Sequence, residues 1–224
     1  TQGAEAPSSE AGDKGQTSYS LGLLLGAQLP KLGLDDKSID FARLAQGMKD
    51  VMSGKVHPSQ PDQQRVANFV QQNNEAAARR FLAANSKRPG VKTTQSGLQY
   101  KVLSEGSGAL PQPTDQVTVN YRGTLLDGTV FDSSYEKGKP FTFALNQRMI
   151  QGWTEAIGMM KPGAKWQIFI PPELAYGPNS PPPIPPNSLL KFEVEMLKVG
   201  PPASAPPGAS PGGAGPNVGS PTGR

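Results

Sequence analysis

Between Val117 and Tyr176 the chain carries aromatic side chains on several separate short elements: Tyr121, Phe131, Phe141, Phe143, Trp153, Trp166, Phe169 and Tyr176. The turn signals between them restrict how these rings come together. Asp127-Gly128 lies between two β-prone runs and is a strong short-range hairpin signal. Gly152-Trp153 leads into a short helical stretch, which Lys161-Pro162-Gly163 stops before a further strand. The stretch predicts a curved sheet that folds several rings toward one short helix.

The flanking segments extend that sheet. From Thr94 the pattern turns to strands, with Leu98-Gln-Tyr-Lys-Val-Leu103 alternating before Gly106 and Gly108 turn the chain. Pro111 and Pro113 mark a loop before Val117-Thr-Val-Asn-Tyr121. A last strand over 189–197 again alternates apolar and polar residues. The expected class is α+β, an antiparallel and strongly curved sheet wrapped on the short helix after Gly152.

The preceding part reads as helical. Residues 1–16 hold no large hydrophobe to offset the entropy of ordering, so they are expected to form a flexible leader. A cleaved secretory signal could have preceded them. Leu21, Leu24, Leu25 and Gln28 share one helical face, in a run that ends near Pro30 and Gly33. Its apolar core is far too short to span a bilayer. Gly22 and Gly26 would admit a second helix closely, either for local packing or for recognition. A second helix is expected after Ser38, read as its N-cap. Its stripe is Phe41, Leu44, Ala45, Met48, Val51 and Met52, and Gly54 closes it. Pro61 and Asp62 suit the first turn of a third helix. Val66, Phe69, Val70, Asn73, Ala77 and Phe81 form its expected inner face, and its end near Lys87 makes it roughly 40 Å long. Three narrow apolar stripes over about seventy residues make a thin core, which two copies can bury against each other. Residues 17–88 therefore predict a homodimer.

Composition removes several functions. The net charge is +4 with no stripe of Lys or Arg, so a nucleic-acid partner is not supported. There is no cysteine, which excludes disulfides and thiolate metal sites. The only histidine, His57, lies in a loop with no second histidine to share a metal, and reads as a plain loop residue. Neither a metal nor another cofactor is expected. No apolar run approaches the ~18 residues of a membrane span. The 25 residues from Gly200 hold 14 Gly or Pro and one charged side chain, Arg224, and read as a low-complexity tail without order.

Tyr121-Arg-Gly, Asp127-Gly-Thr-Val-Phe131-Asp132-Ser-Ser, Pro140-Phe-Thr-Phe143, Met149-Ile-Gln-Gly-Trp153, Ala175-Tyr-Gly177, Ile184-Pro-Pro and Leu190-Lys-Phe192-Glu-Val-Glu occur in this order. Taken singly, Trp153 or Phe143 reads as core, Asp132 as a turn cap and Tyr176-Gly177 as a loop anchor. Taken jointly, over roughly 95–199, the blocks closely resemble FKBP-type peptidyl-prolyl cis-trans isomerases. SYSLGLLLGAQL and the block ending GMKDVMSG resemble the two entwined dimerisation helices of the bacterial Mip-like (macrophage infectivity potentiator-like) subgroup. The third helix is shorter than in the long-stalked members.

The resemblance implies four regions. These are a leader (1–16), a helical dimerisation domain with its connecting helix (17–90), an isomerase domain (91–199) and a disordered Gly/Pro-rich tail (200–224). It further implies an enzyme that needs no cofactor. Trp153 would floor the pocket beneath the proline ring. Tyr121, Phe131, Phe141, Phe143, Met149, Ile150, Ile184 and Phe192 would form its walls and substrate contacts. Tyr176 would donate its hydroxyl to a substrate carbonyl, and the Ile150 N–H would donate to another. Tyr121 and Asp132 would complete the catalytic set, Asp132 by polarising the reacting region or by orienting its neighbours. The implied partners are folding or unfolded proteins that contain proline, with the macrolides FK506 and rapamycin as inhibitors. The implied place is the periplasm or the outer membrane of a bacterium, while the residues leave a cytoplasmic location open. PNSPPPIPPN after Tyr176-Gly177 departs from small eukaryotic members, which often have a histidine there. Its prolines stiffen the flap and are expected to shift peptide preference. The rival reading is a chaperone or peptide-binding module with little isomerase activity. Retention of Tyr121, Asp132, Ile150, Trp153 and Tyr176 favours the enzyme.

Overall fold

The computed structural model describes residues 9–32, 34–146 and 149–201. Three helices come first: α1 (Ser9–Gly26), α2 (Phe41–Met52) and α3 (Gln60–Asn85). Helix α1 starts inside the stretch expected to be a leader, because Ser9 to Gln16 contains no proline and continues into the leucine run. The start of α2 also departs from expectation. Asp40, not Ser38, is its N-cap, since Asp40 directly precedes the helix and its carboxylate accepts from the N–H groups of Ala42 and Arg43 at 3.0 Å each. Ser38 bonds to Asp35 instead. Helix α3 begins with a capping box between Ser59 and Asp62, around Pro61.

The sheet contains β1 (Val91–Thr93), β2 (Gln99–Ser104), β3 (Gln116–Thr124), β4 (Val130–Ser133), β5 (Phe141–Ala144), β6 (Lys165–Ile170) and β7 (Leu190–Gly200), with helix α4 (Gln151–Gly158) between β5 and β6. The strand order is β1-β2-β6-β7-β3-β4, and every pairing is antiparallel. Strand β3 pairs along its length with β7 on one edge, while β4 and β5 share its other edge. The Asp127-Gly128 hairpin joins β3 to β4. Leu125 N–H donates to the Thr129 carbonyl at 2.9 Å, and Asp127 accepts from the Thr129 N–H and hydroxyl.

The α+β expectation holds. Alternation along β3 and β7 sends Val117, Val119, Tyr121, Phe192, Val194 and Met196 to one face, where they bury with Trp153, Ala156 and Ile157 of α4. Gly152 makes that approach possible: a Cβ there would lie 2.4 Å from Ile170 Cγ2.

Helix α3 uses only part of the face its apolar pattern predicts: Val70 is buried and Asn73, Ala77 and Phe81 are half-buried, but the N-terminal part of the stripe is open. Val66 and Phe69 are 56% and 42% exposed, whereas Val70, Asn74, Ala78 and Asn85 are buried. The helix packs its C-terminal half on the other side of the sheet. The Phe81 ring lies 5.6 Å from Phe169, which alternation along β6 turns away from the main core. The Asn85 amide donates to Gln99 Oε1 at 2.9 Å, and the Gln99 amide donates to the Leu82 carbonyl at 3.0 Å. Polar residues make much of this contact, so hydrophobic periodicity passes it over. The stripe of α2 meanwhile stays uncovered: Phe41, Leu44, Met48 and Val51 are all exposed and no residue of α2 is buried. His57 is an exposed loop residue. The expected tail lies outside the described residues, apart from Gly200, which ends β7, and Pro201.

Candidate active site

A cavity of about 530 Å³ opens between the sheet and the N-terminal end of α4. Each wall comes from a different element. Strand β3 supplies Tyr121, β4 supplies Phe131 and Asp132, β5 supplies Phe141, and β7 supplies Phe192. Met149 and Ile150 lie where the chain enters α4, and Trp153 is in the first turn of that helix. Ile150 is the N-cap of α4, with an extended backbone. Ala175 and Tyr176 close the far side, beyond β6. Tyr176 is 41% exposed, at the mouth.

The rings brace each other edge to face. Tyr121 meets Trp153 at 5.3 Å and 78°, Trp153 meets Phe192 at 4.8 Å and 65°, and Phe131 meets Phe192 at 5.4 Å and 90°. Such pairs hold ring orientation as well as burying area. Gly123, beside Tyr121 on β3, lets Phe131 and Phe192 meet over the strand. A Cβ at that position would lie 2.7 Å from the Phe131 ring and 2.8 Å from the Phe192 ring.

A connected polar group sits among these rings. The Tyr121 hydroxyl donates to Asp132 Oδ2 at 2.7 Å, and Lys137 Nζ lies 2.5 Å from Asp132 Oδ1. Burial foremost, and then the Asp132 carboxylate, push the Tyr121 phenol up to about 12. Burial acts to raise the Asp132 carboxyl too, but the bonds from Lys137 and Tyr121 outweigh it and leave Asp132 below its ordinary value. The group therefore holds a neutral phenol, a carboxylate and an ammonium at neutral pH. The Ser134 hydroxyl accepts from the Tyr121 N–H at 2.9 Å, tying β4 to β3 behind the pair.

Nine of the eleven residues expected from the sequence line the cavity: Tyr121, Phe131, Asp132, Phe141, Met149, Ile150, Trp153, Tyr176 and Phe192. Phe143 and Ile184 lie outside that lining. Phe143 lies two residues along β5 on the same face as Phe141, so its ring stacks at 5.0 Å on Phe141 and is buried in the core. Ile184 is drawn into the same core by the turn in which its N–H donates to the Pro181 carbonyl at 3.0 Å. Lys137, Gln151 and Glu173 line the cavity without having been anticipated. Lys137 follows Asp132 by five residues in a loop of mixed charge, and only folding singles it out there from Lys139. Among the described residues no group of three or more His, Cys, Asp or Glu is placed to hold a metal, and no helix is long and apolar enough to cross a membrane.

An aromatic cavity with one braced hydroxyl–carboxylate pair, on a curved antiparallel sheet wrapped on a short helix, defines a class, and comparison with known proteins agrees. Residues 108–197 match the FKBP-type peptidyl-prolyl cis-trans isomerase family, and residues 14–102 match the domain amino-terminal to it. The outer membrane protein MIP of Legionella longbeachae is 42% identical over 204 residues, covering 84% of this chain and 86% of that protein. The peptidyl-prolyl cis-trans isomerase Mip of Coxiella burnetii is 42% identical over 84% of this chain and 87% of its own length. The crystal structure of FkpA from Escherichia coli superposes with a TM-score of 0.58 at 36% identity, covering 88% of this chain and 99% of that one. The chain belongs to the FKBP-type peptidyl-prolyl cis-trans isomerases that carry an amino-terminal helical domain. It is an enzyme that accelerates rotation about the bond preceding proline.

Proposed function

We propose that the cavity over Trp153 is where rotation occurs, with Tyr121, Asp132 and Tyr176 as its polar working groups. The observation that carries this reading is a cavity walled mainly by aromatic and apolar side chains around the Tyr121–Asp132–Lys137 group, with Gln151, Glu173 and Tyr176 as its other polar lining. Rotation about X–Pro breaks amide resonance and takes tens to hundreds of seconds without help. A planar amide is strongly dipolar, and a twisted one loses conjugation and polarity. An apolar site therefore binds the twisted amide better than the planar one, which is the differential binding catalysis requires. Five decades of acceleration correspond to roughly 7 kcal/mol of barrier. Desolvation over Trp153, donation from the Tyr176 hydroxyl and the Ile150 N–H, and selection of a bent peptide share that sum. Asp132, paired with Lys137, holds Tyr121 upright in the wall. FK506 and rapamycin, whose pipecolyl ring imitates proline, occupy the same cavity.

The protein works as a homodimer through residues 17–88. Support comes from the uncovered stripes of α1 and α2: Leu21, Leu24 and Leu25 on the first, and Phe41, Leu44, Met48 and Val51 on the second. A lone helix as short as α2 is marginal in water, so a second copy is what keeps it folded. Two cavities on one dimer raise the effective concentration of the second once a client touches the first. Clients are folding proteins met outside the cytoplasm, as the relative described as an outer membrane protein supports.

The test is a protease-free assay on Xaa-Pro peptides with the full chain and its Trp153→Leu and Tyr176→Phe variants, paired with calorimetry on FK506. Loss of turnover in both variants, and loss of FK506 binding in Trp153→Leu, is the expected result. Unchanged rates in both would place the reaction elsewhere.

A further inference from the structure

The loop that closes one side of the active-site cavity is held from the helical part of the chain. It leaves the cavity at Tyr176, passes the prolines from Pro181 to Pro186 and rejoins the sheet at β7. Its ends are tied together, since the Asn187 N–H donates to the Gly177 carbonyl at 2.8 Å. Asn187 adopts φ +55°, the left-handed region that asparagine enters more readily than other side-chain-bearing residues.

The adjoining residue is gripped from outside. The Asn74 side-chain amide, in the middle of α3, donates to the Pro186 carbonyl at 2.9 Å across 112 residues of sequence. Asn74 is 6% exposed and borders a second cavity of about 410 Å³, with Leu34, Ala77, Leu125, Pro185 and Leu189 on its walls. The same cavity carries Asp35, Asp36, Asp127 and Ser188 on its wall, and the Asn74 amide is turned to the Pro186 carbonyl, which ties α3 to the loop.

We propose that Asn74 is a positioning residue for isomerisation. It fixes Pro186 and, through the Asn187–Gly177 bond, the backbone next to Tyr176, so the helical region sets the geometry of the cavity mouth. The proposal rests on the reading of Tyr176 as a group that faces the substrate.

The test measures kcat and KM of the full chain in the protease-free assay for Asn74→Leu, Tyr176→Phe and the double variant. Asn74→Leu keeps the number of side-chain heavy atoms and the branch at Cγ, and removes the donor. It is expected to lower kcat/KM roughly fivefold, the weight of one ordinary hydrogen bond, with an unchanged circular dichroism spectrum. In the Tyr176→Phe background the same change is expected to have almost no further effect, because the two residues act through one path. Asn74→Asp supplies a readout that packing alone would not move. Its carboxylate repels the Pro186 carbonyl at neutral pH, and its protonated form donates, so activity relative to wild type recovers as pH falls. Full activity of Asn74→Leu beside an impaired Tyr176→Phe would overturn the proposal, as would losses that simply multiply, or an Asn74→Asp deficit independent of pH. Full activity of Tyr176→Phe would instead sink the reading of Tyr176 on which the proposal stands.

Discussion

The Tyr121 hydroxyl donates a 2.7 Å hydrogen bond to the Asp132 carboxylate across the neighbouring strands β3 and β4, and Lys137 holds the other carboxylate oxygen. A wall residue of the cavity is thus oriented by a charge that is itself neutralised by a half-exposed lysine. Asp132→Asn keeps the shape and removes the charge. Its kcat/KM is expected to fall about tenfold, the loss of one charge-assisted hydrogen bond, with an unchanged circular dichroism spectrum. Activity within twofold of wild type would return Asp132 to a purely local turn role.

The same pair sets a pH dependence. The folded Tyr121 phenol titrates at about 12, above its ordinary value of 10. Its contribution to stability is therefore complete below pH 10 and is lost as pH rises through 12. Asp132 is depressed in the fold, so its contribution is present above the ordinary carboxylate value of 3.8 and is lost as pH falls through its lower folded value. An ultraviolet absorbance titration should resolve one of the five tyrosines ionising near 12. Asp132→Asn should bring it only part of the way down, because burial is the larger cause. Five tyrosines that all ionise near their ordinary value would contradict this.

Gly123→Ala tests the aromatic wall. The new methyl has to displace the Phe131 and Phe192 rings, whose edges lie within 2.8 Å of its position. A cost of about 1–3 kcal/mol in stability is expected from overpacking, together with weaker FK506 binding by calorimetry. Wild-type affinity would mean that the two rings move aside without consequence.

The uncovered stripe of α2 predicts how the chain assembles. Leu44→Asp together with Met48→Asp should give monomers in sedimentation at micromolar concentration. Peptide kcat/KM should stay within twofold, while activity on a refolding protein falls. A wild-type chain that sediments as a monomer would remove the basis for this prediction.

Helix α3 also bears on how the isomerase unit can be isolated. A chain starting at Val91 lacks the Phe81–Phe169 contact and leaves Gln99 without Asn85 and Leu82. It is expected to isomerise prolyl bonds, yet to be about 3 kcal/mol less stable than a chain starting at Ser59, mostly through the lost burial of Phe81. Denaturant unfolding of the two fragments measures this, and equal midpoints would show that α3 packs without stabilising.

The sequence alone determined the features that rest on neighbours along the chain. Asp127-Gly128 specified the hairpin, because the turn type needs those residues at adjacent positions. Alternation in Val117–Tyr121 and Leu190–Met196 specified which side chains face α4, because the pleat has period two. The ordered motifs then identified the family and nine residues of the cavity. Tertiary structure decided what depends on elements far apart in sequence. Phe143 reads as core when taken singly, and its stacking on Phe141 agrees, whereas Ile184 is carried into the core by the fold of the proline loop. Helix α3 carried an apolar stripe through Val66 and Phe69, yet it buries Asn74 and Asn85 against the isomerase unit. An asparagine has no hydrophobic signature, and its value lies in a carbonyl or amide that some distant loop presents. That partner exists only once the chain has folded.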